Sequence, residues 1–243
     1  MTETAESIQS NEQTILLVGA SRGLGLALAN LFAANKWKVI ATVRSGRTRS
    51  ELSSAAGNMS RGIRFELVDI TDLEQVRDLH SRLRDQYFDV IFIVAGVHDD
   101  TTRPIHQVPV QEFSGVLITN AFSPLYFAET FFDRLKPQGT LAIMSSRMGS
   151  VSLAPTYAPG EWETYRASKA ALNMLARCFR QRHPDSGSTL LMLHPGWVKT
   201  DMGGDDAPVE IATSVQGLYR VLCKWHGSGK EAYLDYEGAT LPW

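Results

Sequence analysis

From Thr14 onward, short apolar runs alternate with amphipathic stretches. Thr14–Val18, Lys38–Val43, Ile63–Val68, Val90–Ala95, Thr140–Met144 and Leu190–Leu193 read as strands, with Ala232–Leu234 a weaker seventh. In the gaps apolar residues recur at three and four. This period predicts helices over Gly23–Ala34, Leu73–Arg84, Gln111–Leu135 in two pieces, Glu163–Gln181 and Pro208–Lys224. Thr71 and Glu74 read as a capping box opening the helix after the third strand. Strands that are apolar throughout and separated by helices imply a parallel sheet, because parallel connections need crossovers and the crossovers bury both faces. The expected fold class is therefore α/β: a doubly wound parallel sheet of about seven strands with helices on both faces. Residues 1–13 carry almost no apolar side chains and are expected to form a flexible tail, leaving 14–243 as one domain undivided by repeats or linkers.

Composition narrows the function. Of the 243 residues, 44% are hydrophobic and 21% charged, enough apolar side chains for a full core and too many for an extended disordered chain. The longest apolar stretch, Val90 to Val97, is far short of the ~20 residues of a membrane span, and the polar N-terminal segment has no secretory core, so a cytoplasmic protein without a membrane partner is expected. A formal net charge of −2 gives no basic footprint for nucleic acid. Cys178 and Cys223 form no C-x-x-C pair, and the six histidines have no ligand spacing, so no metal site is expected. The adjacent pairs Asp99-Asp100 and Asp205-Asp206 read as solvated turns.

Candidate chemistry begins where the first strand meets the first helix. Gly19-Ala20-Ser21-Arg22-Gly23-Leu24-Gly25 suits a pyrophosphate, because glycines let backbone amides approach the anion at a helix N-terminus. The same letters, Gly19-x-Ser21-x-Gly23, also spell the nucleophile elbow of a serine esterase with Ser21 as nucleophile. Such an elbow needs several strands before it, and only one precedes Ser21. At the end of the second strand, where an acid usually takes the ribose hydroxyls of NAD, the chain has Arg44. With Arg22 in the glycine turn, this points to a 2′-phosphate and to NADP(H) over NAD(H). Asp69, with Ile70 beside it, stands at the end of strand three and is placed to meet the adenine edge.

Tyr165 and Lys169 are four residues apart at the start of a helix and share one face. A free phenol, with a pKa of about 10, is a poor acid or base at neutral pH, and a neighbouring ammonium favours the phenolate. Ser146 ends the fifth strand, on the edge where open α/β sheets bind ligands, and its hydroxyl suits a substrate oxygen. Ser145 competes for that task.

These residues in this order resemble the short-chain dehydrogenase/reductase family: the Gly19–Gly25 turn, Asp69, Ala95-Gly96 after strand four, Asn120, Ser146, Tyr165 with Lys169, and Pro195-Gly196 after strand six. The resemblance covers everything after residue 13 and implies a single-domain Rossmann-type fold. It further implies that Tyr165 is the general acid/base, Ser146 orients the carbonyl, Lys169 holds the nicotinamide ribose and lowers the tyrosine pKa, and Asn120 holds a water in a proton relay. Pro195-Gly196-Trp197-Val198-x-Thr200 is similar to the family's nicotinamide-side loop, with Val198 touching the carboxamide through its backbone and Thr200 near the phosphates. Asp235-Tyr236-x-Gly238 and the closing Leu241-Pro242-Trp243 are similar to the C-factor/sniffer-like small carbonyl reductases.

Three departures bear on stability and specificity. Ile93-Val94 stands where the family usually has asparagines, and Val18 where it has a threonine bracing the turn. The Ser146-to-Tyr165 separation is 19 residues, longer than usual, and contains Tyr157, Pro159 and Trp162. The expected activity is interconversion of a ketone or aldehyde and an alcohol, the substrate having an apolar portion for which Met148, Trp162, Trp197 and Met202 are candidate walls. Trp197–Pro208 is a candidate lid. A homodimer through the middle helices is also expected. A regulatory module that senses NADP(H) without turnover is the second reading, since a fold alone does not guarantee catalysis.

Overall fold

The computed structural model describes residues 13–44, 62–98, 103–158 and 160–243. Among these residues seven strands form one parallel sheet: β1 (Thr14–Val18), β2 (Lys38–Val43), β3 (Ile63–Leu67), β4 (Phe88–Ile93), β5 (Leu135–Met144), β6 (Thr189–His194) and β7 (Glu231–Asp235). Their spatial order is β3, β2, β1, β4, β5, β6, β7. The chain runs outward from β1 to β3, then returns to place β4 on the other side of β1. Val18 pairs with Thr42 on one flank and Ile93 on the other. This reversal opens a crevice at the carboxyl ends of β1 and β4, where doubly wound sheets bind ligands.

Helices α1 (Gly23–Ala34), α2 (Leu73–Arg82), α3 (Val110–Leu117), α4 (Ser123–Phe131), α5 (Glu163–Arg182) and α6 (Ile211–Trp225) cover the sheet. The period of two along β1 explains how. Ile15 and Leu17 point to the face packed with Leu28 and Phe32 of α1 and Leu218 and Leu222 of α6. Leu16 and Val18 point to the opposite face, against Val76 and Leu79 of α2, Phe127 and Phe131 of α4, and Leu172 and Phe179 of α5. Each large side chain so buried contributes about 1.5–3 kcal/mol relative to exposure. No helix among the described residues is long and apolar enough to cross a membrane.

Several boundaries depart from expectation for identifiable reasons. The middle helical region is continuous, because α3 and α4 are joined by a π-helical turn, Ile118–Phe122. Strand β5 begins at Leu135, ahead of a register irregularity, so the polar Lys136-Pro137-Gln138-Gly139 stretch belongs to a strand segment. β4 stops at Ile93 because the Val94 and Ala95 amides both turn to the Val18 carbonyl, at 2.8 and 3.1 Å. α6 starts at Ile211, not Pro208: Val209 pairs with Val198, donating to the Trp197 carbonyl and accepting from the Lys199 amide. Gln13, expected in the tail, accepts from the Lys38 amide at 2.9 Å and so belongs to the fold. The rest of that tail, the Asp99-Asp100 turn and Pro159 lie outside the described residues.

The expected capping box is also corrected. Asp72, not Thr71, caps α2, accepting from the Glu74 and Gln75 amides at 3.0 and 3.2 Å. Thr71 instead bonds to the Asp69 carboxylate through both its amide and its hydroxyl. Asp72→Ala is expected to lower the urea midpoint through loss of the cap; a larger loss from Thr71→Ala would restore Thr71 as the cap.

Candidate active site

The turn after β1 is built for close backbone approach. Gly19 has φ of 95°, and a Cβ there would come within 2.8 Å of Ala95. A Cβ on Gly25 would collide with the Gly19 carbonyl oxygen. With Val18 unable to brace this turn, Thr42 on β2 does so: its hydroxyl accepts from the Gly19 amide at 3.1 Å, and its carbonyl from the Ala20 amide at 2.8 Å. The stability loss expected from the missing threonine is thus offset by a neighbouring strand.

Two adjoining cavities open along the carboxyl edge of the sheet, sharing Arg22 and Gly96. The first is lined by Gly19, Ser21, Arg22, Thr42, Val43, Arg44, Val68, Asp69, Ile70, Ala95, Gly96, Val97 and Thr119. The second, of about 390 Å³, is lined by Arg22, Gly23, Leu24, Gly25, Val94, Gly96, Met144, Ser145, Tyr165, Lys169, Pro195, Lys199, Thr200, Asp201, Met202 and Ile211. Nearly every residue singled out for the cofactor thus falls on one continuous cleft. Two do not line it. Gly196 packs so tightly on Tyr236 that a Cβ would meet the ring at 2.9 Å, and Val198 is buried in its pairing with Val209. Thr42, Val43, Thr119, Lys199, Asp201 and Ile211 line the cleft without having been singled out. Thr42 and Val43 were findable from their place at the end of β2, whereas the loop residues Lys199 and Asp201 carry no pattern.

The groove fits a dinucleotide on its own geometry, since added Cβ atoms at Gly19 and Gly25 would clash and one at Gly96 would lie 3.3 Å from Asn120 Oδ1. Arg22 is ion-paired with Asp201 across the cleft, and both side chains are well exposed. Asp69 holds Thr71 while it faces the first cavity. Ser21 also faces that cavity, and no histidine lines either one among the described residues.

The candidate catalytic side chains sit at the junction of β5 and α5. Tyr165 faces the larger cavity, and the Ser146 side chain is its polar neighbour. Burial pushes the phenol up to about 12, partly countered by that neighbouring hydroxyl. Burial likewise pushes Lys169 down to about 8. Its ammonium donates to the Met144 carbonyl at 3.0 Å and lies 5.7 Å from the Tyr165 ring centroid. Burial, not the Lys169 ammonium, sets the direction of the phenol's shift. Of the two serines, Ser145 lines the larger cavity but spends its hydroxyl on Asn173 at 2.6 Å, whereas the buried Ser146 lines neither cavity and stands beside the phenol.

Asn120 is fully buried in the π-helical turn. Its Oδ1 accepts from the Val97 amide, and its Nδ2 donates to the Val97 carbonyl and the Ser168 hydroxyl, at 2.8, 2.8 and 3.0 Å. Both Nδ2 hydrogens are spent on the protein. Asn120 thus braces the cleft wall, and a relay water would have to use the second Oδ1 lone pair. Of the candidate apolar walls only Met202 lines the cavity. Trp162 packs edge-on against Tyr165 with centroids 5.7 Å apart, while the Trp197 indole donates to the Gly203 carbonyl at 2.7 Å and ties its own loop.

Comparison with known proteins agrees with this arrangement. The short chain dehydrogenase family profile matches residues 13–210. The C-signal protein of Myxococcus xanthus is 39% identical over 158 residues, covering 64% of this chain and 92% of that protein. A short-chain dehydrogenase/reductase from Burkholderia multivorans, solved with bound NADP, is 42% identical and superposes with a TM-score of 0.90 over 96% of this chain and 100% of that one. The carbonyl reductase Sniffer of Drosophila melanogaster is 28% identical, with a TM-score of 0.82 over 96% and 100% of the two chains.

Proposed function

Because the chain belongs to the short-chain dehydrogenase/reductase family, we propose that it is an NADP(H)-dependent carbonyl reductase that interconverts a ketone or aldehyde and an alcohol. The observation that carries this reading is that Tyr165 and Lys169 face a cavity adjoining the glycine turn, so a proton donor and a dinucleotide groove share one cleft. NADP(H), when bound, supplies or accepts the hydride. Gly19, Ser21, Arg22, Gly23, Leu24 and Gly25, with Thr200, would hold its phosphates, Asp69 and Ile70 its adenine, and Pro195 its nicotinamide side, with Ala95 and Gly96 as the wall between them. Lys169, with donors beyond its bond to Met144, would hold the nicotinamide ribose.

Tyr165 donates its proton to the carbonyl oxygen, and Ser146 holds that oxygen by a hydrogen bond. The raised phenol pKa keeps Tyr165 protonated at neutral pH, the form reduction needs. Leu24, Val94, Met144, Met202 and Ile211 give the larger cavity apolar walls, which supports a substrate with an apolar portion. The loop from Trp197 to Pro208 suits a lid that moves as a unit, since its ends are fastened by the Val198–Val209 pairing. The free Cys178 and Cys223 fit a reducing cytoplasm. Exposed Val110, Ile118, Phe122 and Met174 fit contact with a second copy; a solution mass equal to one chain would remove that part.

Measuring NADPH oxidation over a panel of ketones and aldehydes tests the whole reading, and NADPH binding without turnover on any of them would favour a sensor instead. For the cofactor preference, Arg44→Ala is expected to weaken NADPH roughly tenfold and leave NADH nearly unchanged, because charge-assisted bonds to a phosphate contribute about 1.5–3 kcal/mol. Equal losses for both cofactors, measured by titration, would remove Arg44 as the 2′-phosphate ligand.

A further inference from the structure

Ser146 is held through its backbone as well as its side chain. Its hydroxyl accepts from the Met148 amide at 3.2 Å and stands beside the Tyr165 phenol. Its backbone carbonyl accepts from the Gly149 amide at 2.8 Å and, from the far side, from the phenol of Tyr233 on β7. Tyr233 is fully buried, two strands away across the sheet, and touches neither cavity. A buried phenol needs a partner, and this one has the carbonyl of the serine that meets Tyr165.

Tyr233 is itself backed by Trp243, with ring centroids 5.2 Å apart. The chain folds back after β7, and the Leu241 amide donates to the Tyr233 carbonyl at 2.8 Å. The Trp243 carbonyl accepts the hydroxyls of Ser150 and Ser152 at 3.3 and 3.2 Å, gripping the segment that follows Ser146. Arg177 of α5 lies over the Trp243 indole at 5.0 Å, two turns along the helix from Lys169. Trp243 therefore touches β7, the 150–152 segment and the helix that carries Tyr165.

We propose that Tyr233 and Trp243 form a strut that sets the position of Ser146 relative to Tyr165, making Tyr233 a positioning residue for the reaction. The proposal rests on the carbonyl-reductase reading for its kinetic consequence, but not for its structural one. The Ser146 carbonyl keeps its bond from Gly149 in Tyr233→Phe, so that variant is expected to fold.

Two measurements test the strut. The first is amide hydrogen exchange on the whole chain. Tyr233→Phe and Trp243→Ala should each speed exchange at Met148–Ser150 by about tenfold, with β1 unchanged, because local opening loses its support. Unchanged exchange at those amides in either variant overturns the strut. The second is a kinetic cycle. Tyr233→Phe should lower kcat with carbonyl substrate by about 10- to 100-fold, with NADPH affinity unchanged, since a displacement near 1 Å can cost that much. In a Ser146→Ala background it should have almost no further effect. Equal losses in both backgrounds would mean that Tyr233 does not act through Ser146 and overturn the positioning claim. A wild-type chain that reduces no carbonyl compound would defeat the functional reading, while the exchange experiment would still decide the strut.

Discussion

Tyr165→Phe is expected to bind NADPH as the wild type does and to reduce carbonyl substrates about 10²–10⁴-fold more slowly, the range general acid catalysis supplies. Phenylalanine fills the same volume in the T-shaped contact with Trp162, so packing changes little and the lost step is proton donation. The pH dependence follows from the same group. With its pKa pushed up to about 12, the phenol stays protonated from neutral to alkaline pH, and reduction should not weaken for want of the acid. Oxidation needs the phenolate, so its rate should climb about tenfold per pH unit until another group intervenes. Steady-state kinetics in both directions would check this. A Phe variant that keeps most of its reductase activity, or an oxidation rate indifferent to pH, would remove Tyr165 as the proton-transfer group.

Lys169 gives an effect of comparable size on stability. Its ammonium is 3% exposed and pushed down to about 8 from its ordinary 10.5, so the folded chain gives up this proton before the unfolded chain does. Between about pH 8 and 10.5 the unfolded state binds more protons, and stability from this group rises with pH. Below pH 8 both states are protonated and the cost of burying the charge is fully present. At about 1.4 kcal/mol per pKa unit, Lys169→Met should gain roughly 2–3 kcal/mol more, relative to wild type, at pH 7 than at pH 10. Tyr165 acts in the opposite sense above pH 10, where its raised pKa erodes stability in both proteins alike. Urea titrations at the two pH values provide the comparison. A difference between variant and wild type that stays constant with pH would mean Lys169 is not held against its desolvation. The variant should also lose reductase activity, so the position trades stability for chemistry.

The parts of the molecule legible in the sequence are those governed by short periods. Alternation along Thr14–Val18 and the helical spacing of Leu28 and Phe32 each depend on neighbours within a turn or two, and they predicted the sheet with its two covered faces. The same holds for the glycine turn and the four-residue step from Tyr165 to Lys169, both of which face the cleft. Boundaries were less legible where a distant partner intervened. Val209 leaves the helix because Val198 pairs with it, and Thr71 yields the cap because Asp69 engages it.

What only the tertiary structure decided is which of several plausible groups meet, and in what dielectric. Ser145 and Ser146 are equivalent by pattern, and they part because Asn173 on α5 takes the first hydroxyl while the second accepts from the Met148 amide and stands beside Tyr165. The raised phenol and lowered ammonium come from enclosure by the packed chain, a property no four-residue spacing contains. Tyr233 lies 87 residues from Ser146, and a contact at that range leaves no period in the sequence. The sequence alone determined the fold class, the cleft and the candidate phenol; folding decided its protonation and alignment, because both depend on what surrounds a side chain in space rather than on what precedes it along the chain.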